Sequence, residues 1–564
     1  MFTQKQAQLF SVPAKKSSTV PPVFNVPNAF INAGLKKSVE TTSGNGALKL
    51  SSTLDPFVDS FGKLGSYKAP RSFSEIEKDC ELLWGSDKIT SIKFISYLRT
   101  ITRKTQVYDT VTDEPQMGGE LKHEPIMRMI WLSQKAPDVF WKNIGLFVSL
   151  GSWHDVFTML QYDLVYNGWD NRKLDWDKFG VFILTALSDE KTSNLVKKYL
   201  PAIKARSDCK TVESQANCMI GKWLCSLIFG HKDNSSFYKK YRNLKTSGTA
   251  HDWQKLISQQ KFDKIDFNKI HGRALNLLVR SKFLKNQNLS EKYKEWVGDP
   301  KTKVKYTGFV HELFSNLPYA LSLLDGNSQE TINKQFATLV EKGKSDKKDT
   351  STNWLPVIDT SGSMGSIATG TTTSCLNIAK SLALYFSEFL EGRFTGTFAE
   401  FNSTAKMHQW VGNSPIEKWY NNKCNYIGST NFQSVIDLIV SIKTQGGVDE
   451  SEFPTGILCI SDGEFNPSQL GKTNVETARA KLQNAGFSPH FAENFQIVLW
   501  NLQSNAYGSM TGKKFETTAT AKGTFYFSGY NGSVISFLTG SEVLTSRDLF
   551  DRAMDQTVIN MITM

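Results

Sequence analysis

Two short apolar strands, each ending in an aspartate, constrain this chain more than any other feature. The segment LPVIDTSGSMG places Asp359 directly after an apolar stretch, and ILCIS runs into Asp462 in the same way. Between them, GSTNF places Thr430 at the predicted start of a helix. Parallel sheets flanked by helices present their functional groups at the carboxyl ends of the strands. The sequence therefore predicts that these side chains meet at one rim.

Apolar strands alternate with amphipathic helices throughout this part of the chain. The predicted strands are WLPVID, FTGTFAEFN, TGILCISD, FQIVLWNL and GTFYFSG, and helical segments such as SCLNIAKSLALYFSEFLEG and TNFQSVIDLIVSIKTQ separate them. This alternation is typical of a mainly parallel sheet covered on both faces. We therefore predict a Rossmann-like α/β domain over residues 350–564.

The predicted rim carries oxygen-bearing side chains, namely Asp359, Ser361, Ser363, Thr430 and Asp462. Carboxylates and hydroxyls without His or Cys favour a hard divalent cation such as Mg²⁺, which retains waters when the protein supplies few ligands. An acidic residue of a partner could fill an open position on the ion. Taken singly, DTSGS is typical of a helix-capping turn and SDGE of a polar loop. Their order and strand contexts together favour a metal site.

The preceding part of the chain has a helical texture. From about Phe73, apolar residues recur at three- and four-residue spacings, as in FSEIEKDCELLW and PIMRMIWLSQKAPDVFWKNIGLFVSL. Many short helices joined by polar turns indicate stacked helix pairs, and we predict a HEAT-like helical-repeat ring or solenoid over residues 53–345, although no clean internal repeat occurs. Residues 1–52 are predicted to form an irregular arm. The polar stretch Glu341–Asn353 is the natural boundary before the α/β domain.

Charge divides the chain into a basic and an acidic part. Residues 1–350 carry 52 Lys and Arg against 36 Asp and Glu, whereas the remainder carries 14 against 18. Basic residues concentrate between Pro201 and Lys305, with the aromatic residues Tyr238, Tyr241, Phe283, Tyr293 and Tyr306 interleaved. Phosphate contacts combined with stacking surfaces are typical of single-strand RNA binders. The alternative is a solvated helical face that keeps the protein soluble. The candidate RNA-binding residues are Lys204, Arg206, Lys210, Lys239, Lys240, Arg242, Lys245, Arg280, Lys282, Lys285, Lys301, Lys303 and Lys305.

Several classes of protein are disfavoured by what the sequence lacks. The seven cysteines form no CxxC pair and no zinc-ligand spacing, which indicates a reduced, cytoplasmic protein. No signal peptide or apolar run long enough for a membrane span is recognisable. The histidines are dispersed, and neither HExxH nor a phosphate-binding GxxxxGK[ST] loop occurs. We therefore expect a monomeric protein that is not an enzyme and does not bind membranes.

The rim motifs also carry a family resemblance. DTSGSM, GSTNF and ISDGEFN resemble the metal-ion-dependent adhesion site of von Willebrand factor A domains. With IVLWNL and YFSGYNGSVISFL, they resemble a domain-of-unknown-function family of plants and large viruses or phages, which is itself similar to the TROVE module of the Ro ribonucleoprotein. A looser resemblance extends to GSWHDVF and to YKKYRNLKT through HGRALNLLVRSKF, so that it covers roughly residues 73–545. Two expected motifs are reduced here, an early Arg-Gly-Gly-rich segment and a later basic Arg-Tyr motif.

The resemblance implies a Ro-like RNA-binding scaffold in the cytoplasm. A ring of helical repeats would hold single-stranded or structured small RNA, and the metal site would dock an acidic ligand or partner. Two alternatives remain open at this stage. One is a protein-interaction module that binds no RNA. The other is a structural protein of a virus, located in host cytoplasm or in the particle, that uses the metal site for adhesion.

Overall fold

The computed structural model describes most of the chain, in the ranges 40–42, 48–50, 53–64, 71–103, 105–107, 110–112, 116–230, 235–249, 252–270, 272–279, 287–306, 308–346, 353–368, 371–424, 427–463, 465–468, 473–503, 523–529 and 545–564. Residues 1–39 of the predicted arm lie outside these ranges, and two short antiparallel strands occur in the rest of it, β1 (Glu40–Thr42) and β2 (Leu48–Leu50). The protein is mostly helical, with a C-terminal mixed sheet. No helix within the described ranges is both long and apolar enough to cross a membrane.

The chain divides into two compact units, neither of which is continuous in sequence. The first contains the described residues of Pro70–Lys255 and Ala553–Met564, and the second those of Phe24–Ala69 and Leu256–Arg552. This grouping differs from the predicted boundaries, because helices after residue 256 group with the sheet and the last residues group with the helices. The physical reason is burial: Val558 and Ile559 are completely buried in the first unit.

The first unit is built from helices that pack mainly on near neighbours in the chain. A short hairpin of β3 (Gln106–Val107) and β4 (Thr110–Val111), which the sequence did not predict, interrupts them. The pattern is consistent with a helical solenoid, while the closed ring stays a prediction. The helices are α2 (Phe73–Ser86), α3 (Lys88–Arg99), α4 (Glu124–Lys135), α5 (Pro137–Leu150), α6 (Trp153–Asn167), α7 (Trp176–Ser188), α8 (Glu190–Tyr199), α9 (Val212–Phe229), α10 (Ser235–Thr249) and α11 (Asp252–Ser258), the last of which crosses into the second unit.

Buried charge helps to define the core of the first unit. Arg128 and Glu124 on α4 have no exposed side-chain surface and form an ion pair of 2.8 Å between Nη2 and Oε1. Arg71 joins the same carboxylate at 2.6 Å. Breaking such a pair by removing one partner leaves an uncompensated buried charge. The network therefore makes the folded state sensitive to single substitutions.

The last residues of the chain are tied to the first unit through side-chain amides. The Met117 N–H donates to Gln556 Oε1 at 2.6 Å, and Gln556 Nε2 donates to the Met117 carbonyl at 2.8 Å. Asn143 makes the same reciprocal pair with the main chain of Thr563, at 2.7 and 3.1 Å. The side-chain amides of Gln556 and Asn143 thus provide hydrogen-bond partners for main-chain groups of Met117 and Thr563. Residues 553–564 are thus an integral part of the helical core.

The second unit contains a six-stranded sheet in the order β10-β9-β8-β5-β6-β7. Its strands are β5 (Trp354–Asp359), β6 (Thr397–Phe401), β7 (Ala405–Gln409), β8 (Gly456–Ser461), β9 (Gln496–Asn501) and β10 (Thr524–Ser528). All adjacent strands pair in parallel except β6 and β7, so the sheet is mixed. The central strands β5, β8 and β9 are buried along their whole length. Five of the strands were predicted from their apolar sequences, and β7 was not.

Some helices of the second unit precede the sheet in the chain, and others lie between or after its strands and pack on it. On one face, Val357, Cys459 and Ile497 share a core with Val435 and Leu482. The helix starting at Cys375 contacts β5, β6 and β8. The helices are α1 (Pro56–Gly62), α12 (Gly272–Val279), α13 (Gln287–Gly298), α14 (Val310–Phe314), α15 (Gly326–Asp346), α16 (Cys375–Ser387), α17 (Pro415–Asn421), α18 (Gln433–Gly446), α19 (Asn474–Asn484), α20 (Pro489–Asn494) and α21 (Ser546–Met554), the last of which ends in the first unit.

Helix α1 packs on the edge strand β10. The rings of Phe61 and Phe527 lie 6.4 Å apart, and those of Phe57 and Phe550 lie 5.5 Å apart. The Ser528 hydroxyl donates to the Gly62 carbonyl at 2.6 Å. An uncovered edge strand presents hydrogen-bonding groups to other chains. Helix α1 therefore covers part of this edge strand.

Candidate metal centre and basic surface

The predicted metal ligands lie on three loops at the carboxyl edge of β5 and β8. Because these strands are parallel neighbours, Asp359 at the end of β5 and Asp462 after β8 reach the same edge. Asp359 is fully buried, and Ser361, Thr430 and Asp462 are 2%, 2% and 7% exposed. Ser363 is exposed at the rim. Four of the five residues are thus buried in these loops, and Ser363 faces solvent.

Main-chain hydrogen bonds hold the three loops together. The N–H of Gly362 donates to the Gly428 carbonyl at 3.3 Å, and Ile427 donates to Thr360 at 2.8 Å. The loop after β8 joins them, since the Asn466 N–H donates to the Thr430 carbonyl at 2.9 Å. Gly428 has φ +89°, a conformation that side-chain-bearing residues rarely adopt. The loops therefore form one connected structure.

Electrostatics at this rim favour a cation. The Ser461 hydroxyl donates to Asp359 Oδ2 at 2.5 Å, and the Ser361 N–H donates to Oδ1 at 2.8 Å. Burial first, and then the nearby carboxylate of Asp462, raise the pKa of Asp359 from 3.8 to about 7. Two neighbouring carboxylates in a buried place repel each other unless a proton or a cation compensates them. A divalent ion would supply that compensation.

The donor chemistry fits a hard cation. The Ser361 and Ser363 hydroxyl oxygens lie 3.2 Å apart, and Thr430, a third hydroxyl residue, is buried on the adjoining loop. Within the described ranges, no group of three or more His, Cys, Asp or Glu side chains is placed to hold a metal. A set of two carboxylates and three hydroxyls is a different arrangement, and it suits Mg²⁺ with retained waters.

Two residues that the sequence analysis did not select also support the rim. Ser461, the last residue of β8, holds the Asp359 carboxylate directly. Asn402, which follows β6, donates from Nδ2 to the Thr360 hydroxyl at 3.3 Å and accepts the Asn431 N–H at its carbonyl. Their position at strand ends was visible in the sequence, but their hydrogen bonds depend on which strands are neighbours.

The basic candidates are divided between the two units. In the first unit, Lys204, Lys210, Lys239, Lys240 and Arg242 are exposed. Lys301, Lys303 and Lys305 belong to the second unit and are also exposed. Arg280, Lys282, Lys285 and the side chain of Arg206 lie outside the described residues. A single basic surface running from 201 to 305 therefore remains a prediction.

Two of the basic candidates are engaged within the protein. Lys245 donates from Nζ to the carbonyls of Lys198 and Leu200 at the end of α8. Lys303 forms an ion pair of 2.7 Å with Glu341. Burial also lowers the pKa of Lys245. Lys245 is better explained as a helix-capping residue, and its assignment as a phosphate ligand is not favoured.

Three of the five interleaved aromatic residues are buried and cannot stack on bases. Tyr241 and Tyr293 are completely buried, and Tyr306 is 2% exposed. Tyr241 donates from its hydroxyl to the Pro201 carbonyl at 3.0 Å, and Tyr293 is hydrogen-bonded to Thr331 at 2.7 Å. Phe283 lies outside the described residues. The prediction that these three tyrosines stack on bases is wrong, because their rings fill the core.

Residues 353–560 match the family DUF7788, a domain of unknown function. The match covers the α/β sheet and the three loops of the candidate metal centre. The expected resemblance to a domain-of-unknown-function family is therefore confirmed for this part of the chain. No curated protein matches the sequence.

Among solved structures, the chain is similar to the crystal structure of the Deinococcus radiodurans Ro (RSR) protein. The sequences are 10% identical, and the similarity covers 77% of this chain and 88% of the other, with a TM-score of 0.29. A score this low does not establish a common fold. The relation to Ro proteins stays a prediction that rests on the sequence motifs.

Proposed function

We propose that the α/β domain is a metal-dependent docking module. Asp359, Ser361, Ser363, Thr430 and Asp462 would hold Mg²⁺ or another hard divalent cation. When bound, the ion would offer an open position to a carboxylate from a ligand or protein partner. The observation that supports this most strongly is the buried Asp359 carboxylate beside Asp462 on loops that hydrogen bonds fix in place.

Ligand capture accounts for this donor set better than catalysis. The hydroxyls of Ser361 and Ser363 face each other at 3.2 Å, and the Ser461 hydroxyl is engaged with Asp359. A hydrolytic centre needs a general base within hydrogen-bonding reach of an attacking water. Asp359, the more deeply buried of the two carboxylates, is already satisfied by two donors. We therefore propose a binding role and no enzymatic activity.

Thermal unfolding with and without Mg²⁺ tests the proposal. Any ligand that binds only the folded state raises the unfolding temperature, and the rise grows with the logarithm of the ligand concentration above the dissociation constant. Wild-type protein freed of metal should gain stability on addition of Mg²⁺, and Asp359→Ala should lose that gain. Asp437→Asn, which changes an exposed carboxylate of the same domain, is the matched control. An equal gain in wild type and Asp359→Ala would contradict the proposal.

A second candidate function is RNA binding by the first unit. Lys239, Lys240 and Arg242 are exposed and close together on α10. Since Tyr241, Tyr293 and Tyr306 are buried, contacts would be mainly to phosphates, and affinity should fall steeply with salt. This candidate function agrees with the Ro-like RNA-binding scaffold that the sequence resemblance implies.

Fluorescence anisotropy with labelled single-stranded RNA tests this candidate. The triple variant K239E/K240E/R242E should bind much more weakly than wild type at low salt. The control K122E/K173E/K191E changes charge equally at exposed residues of the same unit. Absence of wild-type binding at low salt, or an equal loss in both variants, would count against RNA recognition by α10.

A further inference from the structure

The segment from Pro201 to Lys210 lies along one face of α9. Gln215 donates from Nε2 to the Cys209 carbonyl at 3.2 Å, and the Cys218 thiol donates to the Lys204 carbonyl at 3.4 Å. A β-carbon added at Gly221 would come within 3.0 Å of the Pro201 carbonyl oxygen. Residues 215, 218 and 221 follow at three-residue intervals and so share a helix face. The segment is therefore packed closely on α9.

Two cysteine thiols meet at this contact. Cys209 in the segment and Cys218 on α9 are both free thiols, and they are neighbours across this contact, because the Cys209 carbonyl accepts a hydrogen bond from Gln215, three residues before Cys218 on the same helix face. They are 7% and 8% exposed, so a small reagent reaches them only at the surface of the contact. Burial, and then the neighbouring Cys218, raise the pKa of Cys209. Spontaneous oxidation should consequently be slow near neutral pH, because the thiolate is the reactive form.

We propose that Cys209 and Cys218 are a reversible disulfide site that links the 201–210 segment covalently to α9. The oxidant is a low-molecular-weight disulfide such as oxidised glutathione. One cysteine thiolate attacks a glutathione sulfur, which releases one glutathione thiol and leaves a mixed disulfide. The second cysteine then attacks the protein sulfur of that mixed disulfide and releases the other glutathione. The two protein thiols lose two electrons and two protons, and oxidised glutathione becomes two thiols.

Oxidation changes more than one bond. A disulfide brings the two sulfur atoms to about 2 Å and leaves neither with a proton. The hydrogen bond from Cys218 to the Lys204 carbonyl is therefore lost when the disulfide forms. The segment exchanges a thiol hydrogen bond for a covalent tether close to Lys204 and Lys210.

Peptide mapping of the full-length protein tests the site. Protein is equilibrated in buffers of increasing oxidised-to-reduced glutathione ratio, remaining thiols are blocked with N-ethylmaleimide, and trypsin is applied without reduction. The expected product is the peptide 207–210 joined to the peptide 211–222, with the mass of two hydrogens missing. This product should disappear after addition of excess reduced glutathione.

Variants assign the cross-link. Cys209→Ser and Cys218→Ser should each abolish the joined peptide. Cys225→Ser, on the same helix and also buried, should retain it. The proposal would be overturned if both cysteines carried N-ethylmaleimide after the most oxidising buffer, or if each carried its own glutathione adduct. A joined peptide confined to covalent dimers on non-reducing gels would also overturn it, since the contact lies within one chain.

Discussion

The free energy of unfolding of the metal-free protein should depend on pH through Asp359. Burial and the Asp462 carboxylate raise the pKa of Asp359 from 3.8 to about 7. Between these pH values the folded protein keeps a proton that the unfolded chain has already released. The contribution of Asp359 to stability is therefore greatest below about pH 4, falls as the pH rises to about 7, and does not recover above it.

The size of this loss follows from the difference between the two pKa values. A rise from 3.8 to about 7 corresponds to roughly 4 kcal/mol, at about 1.4 kcal/mol for each tenfold change in proton affinity. The side chain is fully buried, so little of this difference is lost to solvent screening. Mg²⁺ should restore most of the lost stability at about pH 8, because it replaces the proton as the compensating charge.

Urea unfolding in EDTA, followed by tryptophan fluorescence, measures the effect at about pH 5 and about pH 8. Asp359→Asn keeps the shape of the side chain and removes its charge, so its stability should change less with pH than that of wild type. At about pH 8 in EDTA it should exceed wild type. Asp437→Asn should retain the wild-type pH dependence. Equal pH dependence in wild type and Asp359→Asn would refute the reasoning.

Two further substitutions test the core of the first unit. Glu124→Gln should destabilise the protein by about 3–5 kcal/mol in urea unfolding, because it leaves Arg128 buried without its full compensating charge. The control Glu81→Gln, which changes an exposed ion pair, should cost less than about 1 kcal/mol. Similar losses of stability in the two variants would show that the buried network is unimportant. Gln556→Ala should cost about 1–3 kcal/mol through the lost amide pair with Met117, and an unchanged unfolding midpoint would mean that residues 553–564 do not contribute to this unit.

The α/β domain was largely predictable because its central strands are buried on both faces. Strands of this kind are continuous apolar runs, as in ILCIS, and can be recognised without knowledge of their neighbours. Strand β7 has the sequence AKMHQ and lies at the sheet edge with most of its side chains partly exposed. It pairs antiparallel with β6, and nothing in its composition separates it from a polar loop.

The loops that carry the candidate metal ligands were also predictable, since they follow the apolar strands β5 and β8 or precede a helix, whereas the role of these residues as ligands stays a prediction. What the sequence could not give was the arrangement of the loops. The hydrogen bonds of Gly428 and Asn466 join segments that are far apart in the chain. The strong burial of Asp359 likewise depends on the strands on either side of β5.

The aromatic residues of the basic segment show where composition misleads. Tyr238, Tyr241 and Leu244 recur at three-residue spacing in a helix, which is the pattern of a buried stripe. Tyr241 is accordingly buried, while Lys239 and Lys240 between the tyrosines are exposed. Helical periodicity, applied to this segment, would have separated the core residues from the surface residues. The packing of Tyr293, on α13, and of Tyr306, in the segment after it, depends on contacts with other elements.

Calorimetric titration of Mg²⁺ into metal-free protein tests the central proposal most directly. Wild type and Asp437→Asn should bind one ion per chain with a saturable heat. Asp359→Ala and Asp462→Asn should show no saturable binding while keeping the wild-type circular dichroism spectrum. Binding that persists in both ligand variants, or its absence from folded wild type, would contradict the assignment of these loops as a metal centre.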